Sequence, residues 1–130
     1  MNQISGSNQL KNLLAQMNAE GGFPISVLTD SQGLTIAWSA SDGMDPERQS
    51  AAVAYMQKAA LQVGKQLGMA STDEISFVDT NGQHLVCRLF DVDNHCLILA
   101  VMIPDRDRSY RRATNHAVHQ IHKIWNQFWK

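Results

Sequence analysis

Cys96–Ile103, CLILAVMI, is apolar at every position, and its reading decides the fold. A strand that is apolar at both parities has both faces covered, so it belongs in the centre of a sheet with helices above and below. The strand containing it, His95–Ile103, is stopped by Pro104 and entered through the polar turn Asp91–Asn94. Two further strands precede it: Glu74–Thr80 is joined through Asn81-Gly82, a strong hairpin signal, to His84–Phe90.

Working outward, Phe23–Asp30 (FPISVLTD) leads through Ser31, Gln32 and Gly33 into Leu34–Ser39 (LTIAWS). A short Gly-containing loop between two β-rich runs predicts another hairpin. Between the two groups of strands lies a long helix. Asp45 is its N-cap candidate, Pro46 suits the first helical position, Glu47 suits the positive dipole end, and the helix runs to about Leu67 and stops at Gly68. Ala52, Val53, Met56, Ala59, Ala60, Val63, Gly64 and Leu67 share one arc of it, predicted to lie close against its cover. A first helix is predicted from an N-cap at Ser7 through Leu10, Leu13, Leu14 and Met17 to Gly21 and Gly22. A last helix, capped by Asp105 or Asp107, runs to about Trp129 with Tyr110, Ala113, Ala117, Val118, Ile121, Ile124, Trp125 and Phe128 on one arc. The order is helix, two strands, helix, three strands, helix. That is an α+β pattern with mostly antiparallel pairing.

The 130 residues, 44% hydrophobic and 18% charged, suit a single domain over 1–130 and exclude bulk disorder. No apolar run approaches the roughly 20 residues of a membrane span. The start, MNQISGSNQLKN, lacks the basic and apolar regions of a secretory signal. Cys87 and Cys96 each sit in an apolar run and read as two reduced, buried thiols of a cytoplasmic protein. Net charge is −1, but Asp105–Lys130 carries six basic residues against two acidic ones and is +4, leaving −5 for the rest. A basic helix end suits an acidic partner or a neighbouring subunit. The wide basic surface with stacking aromatics that nucleic acid requires is missing.

Catalytic patterns are missing too. His116, His119 and His122 are spaced near metal-ligand intervals, but they spread over about 120° of the polar side of the last helix, among Arg112, Lys123 and Lys130. Cationic neighbours oppose a metal, so a solvated, pH-sensitive face is the reading preferred to a metal-dependent enzyme. His84 and His95 stand at strand ends, where exposed polar residues are expected. Asp91-Val92-Asp93-Asn94 opens like a calcium loop, yet Cys96 and Met102 occupy the positions that need Gly and Glu. Asp42, Asp45 and Glu47 are more simply a turn and a helix cap. Neither phosphate-cradling glycine motif nor a nucleophile elbow is present. The expectation is a binding module with no catalytic residue, no metal and no cofactor.

Asp30–Ser39 (DSQGLTIAWS), a helix of small residues ending Gln66-Leu67-Gly68, and Ile75–Val101 together resemble the Roadblock domain. The resemblance spans about Leu10 to Ile124 and rests on apolar and small-residue patterns around Asp30 and Gly33 and on element order. It implies a profilin-like, five-stranded antiparallel sheet in the order 2-1-5-4-3, with helices 1 and 3 on one face and helix 2 on the other. The family includes dynein light chains, lysosomal signalling scaffolds and bacterial and archaeal partners of small Ras-like GTPases. Some members are GTPase-activating factors with no nucleotide site of their own. The resemblance therefore implies a non-catalytic homodimer that scaffolds or regulates a Ras-like GTPase or a related scaffold protein. This last helix departs from many members in its richness in His, Arg and Trp.

Roadblock dimers pack helix 2 on its partner and pair the third strands edge to edge. Carried onto this chain, the dimer surface would comprise Ala52, Tyr55, Met56, Ala59, Ala60 and Val63 of the helix. Ile75, Phe77, Val78 and Asp79 of the strand would complete it. Independent physics agrees: a helix of about 22 residues is roughly 33 Å long, beyond strands nearer ~20 Å. The third strand also carries no Lys or Pro to blunt an exposed edge. Ala54, Lys58 and Leu61 are the candidate contacts for a different partner; for Leu61 and Tyr55 the simplest alternative is ordinary surface exposure. A competing reading is a PAS-like sensor, its small molecule held between sheet and helix by Trp38, Met56, Phe77 and Met102.

Overall fold

The computed structural model describes residues 5–129. Met1–Ile4 and Lys130 lie outside the described residues, and with them the first residues of the N-terminal reading and the last charge of the basic stretch. The elements follow in the order α1 (Gly6–Gly21), β1 (Ile25–Asp30), β2 (Thr35–Ala40), α2 (Pro46–Leu67), β3 (Glu74–Val78), β4 (His84–Val92), β5 (His95–Ile103) and α3 (Arg111–Phe128). One five-stranded sheet has the order β2-β1-β5-β4-β3, with every pairing antiparallel. No described helix is long and apolar enough to cross a membrane.

β5 is the central strand, paired to β1 (Leu28↔Leu99) and to β4 (Cys87↔Ala100). Its two parities feed two cores. Leu97, Leu99, Val101 and Ile103 pack with Leu10, Leu14 and Met17 of α1 and with Ala117 and Ile121 of α3. Ile98 and Ala100 pack instead with Val27, Cys87 and Val53 of α2.

Local chemistry sets the element ends. Asp45 Oδ1 accepts the N–H groups of Glu47 (3.1 Å) and Arg48 (3.2 Å), Pro46 follows, and Gly68 closes α2 in the left-handed conformation at φ 66°. α1 is capped by Ser5 rather than Ser7. Ser5 holds the extended backbone of a cap (φ −62°, ψ 160°) and its Oγ accepts the Asn8 N–H at 3.1 Å, which places Ser7 inside the first turn. α3 is not capped by Asp105 or Asp107. It begins at Arg111 behind Tyr110, with no side-chain cap among the described residues, because Asp105 is engaged by Arg108 (3.0 Å) and Arg108 also donates to the Gly21 carbonyl (3.2 Å).

The first two hairpins share one turn. Asp30 Oδ1 accepts the N–H groups of Gln32 (2.9 Å) and Leu34 (3.0 Å); Asp79 Oδ1 does the same for Asn81 (2.9 Å) and Gln83 (2.9 Å). In each case the glycine three residues on stands at φ 88°. These carboxylates take over the backbone donors, so β3 ends at Val78 and not at Thr80. The β4–β5 link is a two-residue loop with Asp93 and Asn94 at φ 47° and 68°, which lets β4 run on to Val92.

Two expectations about packing are corrected. Cys87 is buried, but Cys96 is only half-buried. The face that α2 turns to the sheet is centred on Gln49, Ser50, Val53 and Gln57, about 60° round the helix from the apolar arc. Ala59, Val63 and Leu67 of that arc are exposed. Close approach is achieved instead at the hairpin, where a Cβ on Gly33 would meet Ala54 Cβ at 2.7 Å and the Ser50 carbonyl at 3.1 Å.

Gly33 and Gly43 have nearly equal φ (88° and 87°), yet a Cβ on Gly43 would meet nothing within 4 Å. Urea unfolding should therefore show Gly43→Ala costing about 1 kcal/mol from backbone strain alone. Gly33→Ala should cost about 1–3 kcal/mol more, from the clash under α2. Equal losses would refute the close packing of hairpin on helix.

Candidate functional site

Polar side chains hold α2 to the sheet. Gln49 Nε2 donates to the Ala100 carbonyl of β5 (3.1 Å), and the Ser50 and Thr35 hydroxyls share a hydrogen bond of 2.7 Å. Gln57 is buried on the same line. With those positions facing inward, the apolar flank of the helix faces out.

That flank overlooks an open groove of about 370 Å³ lined by Ala52, Tyr55 and Met56 of α2, Phe77 and Asp79 at the end of β3, and Gln83, Leu85 and Met102. Tyr55 is 77% exposed and Phe77 63%. A second hollow shares Ala52, Leu85 and Met102 and continues past Met44 and Arg48. The structure thus brings together five of the residues expected at a dimer surface: Ala52, Tyr55, Met56, Phe77 and Asp79. Ala59 and Val63 continue the exposed flank, while Ala60 is half-buried. Ile75 faces inward against the core under α2. Val78 alternates with Phe77 and so stands on the opposite sheet face, 47% exposed. Asp79 is committed to its turn. Of the three candidate partner contacts, Ala54 lies close over Gly33, Lys58 is exposed, and Leu61, 55% exposed, lines a separate pocket on the other flank of α2. Among the four residues of the sensor reading, Met56, Phe77 and Met102 share the groove. Trp38 lies elsewhere, with Lys11 Nζ 5.8 Å from its ring centroid.

On its other face β3 is tied down by a cluster that the sequence did not reveal. Glu74 Oε2 accepts hydrogen bonds from the Tyr110 hydroxyl (2.9 Å) and the Ser76 hydroxyl (3.1 Å). Its Oε1 is paired with Arg111 (3.5 Å) and Arg88 (3.7 Å). Arg88 also donates to the Thr114 hydroxyl at 2.7 Å. Burial, then the hydrogen bond and charge of Glu74, push the Tyr110 phenol above its usual value. The only signal in the sequence was an acid opening a β run, which by itself names no partner.

His116 and His119 are exposed, whereas His122 leans on the Phe90 ring at 5.6 Å. Among the described residues no three His, Cys, Asp or Glu side chains form a ligand set. His84 departs from expectation: it is half-buried, edge-on to Tyr110 at 5.3 Å.

No protein-family model and no curated protein matches the chain. Solved structures do. The gliding protein MglB of Thermus thermophilus superposes with a TM-score of 0.76 at 16% identity, covering 98% of this chain and 96% of that one. Myxococcus xanthus MglB gives 0.76 at 15% identity, covering 92% and 97%. A Roadblock/LC7 domain from Streptomyces avermitilis gives 0.62 at 14% identity, covering 90% and 94%. The fold is of the Roadblock type. Within this Roadblock sheet the strand order and the division of helices between faces are those the resemblance implied.

The two thiols of the β4–β5 pair differ in burial, Cys87 within the core and Cys96 at its margin. Burial, and secondarily the Glu74 charge, push Cys87 up to about 12 from 9.0; burial and then Asp91 raise Cys96. A disulfide reagent should label Cys96 in the folded protein and Cys87 only on unfolding. Because the folded state keeps the Cys87 proton after the unfolded chain has lost its own, stability should fall as pH rises above about 9. Cys87→Val should flatten the drop in urea midpoint between about pH 8 and about pH 10.5. An unchanged slope would contradict the buried thiol.

Proposed function

We propose that this chain is a homodimeric, non-catalytic interaction module that scaffolds or regulates a small Ras-like GTPase. The observation that carries the reading is the outward apolar flank of α2: Gln49, Ser50 and Gln57 join Val53 against the sheet, which leaves Tyr55 and Val63 toward solvent. Covering a large apolar side chain stabilises by roughly 1.5–3 kcal/mol, and Tyr55 and Phe77 border one groove. A second copy meeting the same flank through a two-fold axis would cover both sets at once. The β3 edge, EISFV, would gain a pairing partner in the same step.

The GTPase part rests on what the Roadblock resemblance implies, and the likeness to MglB supports the fold behind that resemblance. Any effect on GTP hydrolysis would be exerted by contact, with Lys58 and Leu61 on the free flank as the contact residues. The sensor reading keeps one supporting observation, the low polarity of a groove walled by Met56, Phe77 and Met102. It predicts a ligand-stabilised monomer.

Light scattering on the purified chain should give twice 14.5 kDa. Tyr55→Glu combined with Phe77→Glu should give a folded monomer, since both side chains are exposed in the single chain. Ras-like GTPases from the source organism, added in turn, should include one that binds the dimer or changes its hydrolysis rate with it. A native monomer would sink the dimer, and a set of GTPases none of which responds would sink the regulator.

A further inference from the structure

Opposite its buried side of Thr114, Ala117, Ile121 and Ile124, α3 presents a basic row to solvent. Arg112, His116, His119 and Lys123 follow one another at intervals of four, three and four residues. That spacing puts them within about 60° of arc, along roughly 16 Å of helix. All four are exposed. None of them makes a hydrogen bond, ion pair or ring contact among the described residues. Arg111 differs, because Glu74 already holds it.

The row has no counter-charge of its own. α3 contains no acidic residue. The neighbouring α1 has one, Glu20, whose Oε1 accepts from Gln16 Nε2 at 3.1 Å. Like-charged neighbours four apart repel by a few tenths of a kcal/mol. Arg112 is moreover the second residue of α3, at the positive end of the helix dipole, where a base is disfavoured and a carboxylate is favoured. A line of carboxylates laid along the row would relieve both penalties. The two histidines can serve it in either protonation state, since even a neutral imidazole keeps one N–H donor.

Geometry selects among anionic ligands. The intervals of four, three and four are those of one ridge of an α-helix, so a second helix can present acids at matching positions. One row is too narrow for a nucleic-acid track. At its Arg112 end the row borders a cleft of about 470 Å³ between α1 and α3, whose lining includes Met17, Gly21, Arg112, Ala113 and His116. A side chain of a docked protein can enter such a hollow, whereas a flat bilayer surface cannot follow it.

We propose that this row docks an acidic α-helix of a partner protein, with carboxylates at the same intervals meeting Arg112, His116, His119 and Lys123. The site rests on the interaction-module reading but on neither the dimer nor the GTPase. α3 packs on the sheet face opposite α2 and contributes nothing to the groove, so both surfaces can be occupied together.

The probe is a stapled, alanine-based helical peptide bearing four Glu at those intervals, titrated into isotope-labelled protein at low ionic strength. Saturable backbone amide shifts are expected along Arg112–Lys123, weakening as salt is added. A peptide of identical composition with its Glu spread around the helix should bind at least fivefold more weakly. Arg112→Gln combined with Lys123→Gln should cost at least tenfold in affinity, about 1.4 kcal/mol, at an unchanged urea midpoint because both side chains are exposed and unpaired. Equal binding of the rearranged peptide, shifts that do not saturate, or indifference to the double variant would each overturn the proposal. So would phosphatidylserine vesicles or a single-stranded oligonucleotide that bind the same residues more tightly than the peptide. Light scattering reads dimerisation separately on the same samples: a monomer that still binds the peptide would leave this site standing, and an assembly larger than a dimer that the double variant abolishes would give the row to another copy and overturn it.

Discussion

A strand that is apolar on both faces must be roofed twice, and the rest of this molecule answers that demand unevenly. Five strands at ~4.8 Å spacing make a sheet about 20–24 Å wide, and a helix with its side chains is about 10 Å across. Two helices, α1 and α3, span one face and leave a continuous core from Leu14 to Ile121. Among the described residues, the other face has α2 alone. One helix cannot roof five strands, so open ground remains on both of its flanks: the groove by Phe77 and Leu85, and the pocket by Leu89 and Cys96. The two candidate surfaces are the same geometric shortfall seen from either side of a single helix.

The way α2 sits on the sheet sharpens this. Hydrophobic packing alone would turn the centre of the apolar arc, near Met56 and Val63, downward. The helix instead lies with Gln49 donating to the Ala100 carbonyl and Ser50 bonded to Thr35. Buried polar groups with partners fix one orientation, because rotating the helix would strand the Gln49 amide and the Ser50 hydroxyl without acceptors or donors. Gly33 reinforces the choice by letting the β1–β2 hairpin come within van der Waals reach of Ala54. The cost is apolar area left in water on the Tyr55 side.

How much could be read from the residues divides along physical lines. Patterns that depend on a residue and its sequence neighbours were legible: the double-faced β5, the Asp45–Pro46 helix start, the glycine helix ends, and the strand order implied by the Roadblock resemblance. Signals that depend on competition between distant groups were not. Asp105 and Asp107 looked like caps for α3 until Arg108 took Asp105, and the rotation of α2 depends on a carbonyl in β5, about fifty residues away. Within the candidate site, Tyr55 and Phe77 could be picked out on the right elements, and both are exposed. Ile75 shares its sheet face with Phe77 but is half-buried under α2, a difference along one strand that parity cannot tell. Gln57 left no trace at all, since a glutamine on a helix reads as solvated until the fold buries it.

Glu74 gives the two faces of the β3 margin different mechanical characters. On the α3 side it gathers Tyr110, Arg88 and Arg111 around one carboxylate, and charge-assisted bonds in a half-buried setting hold position well. Arg88 passes the constraint on to Thr114 of α3. β3 is only five residues long, and so short an edge strand would otherwise fray. Anchored from one face, its outer row of backbone groups keeps the extended geometry of a template. A strand arriving there would meet little further ordering cost, the term that usually offsets the gain from edge pairing. The aromatic side chain that such an approach would cover, Phe77, projects from the face where the single helix leaves room.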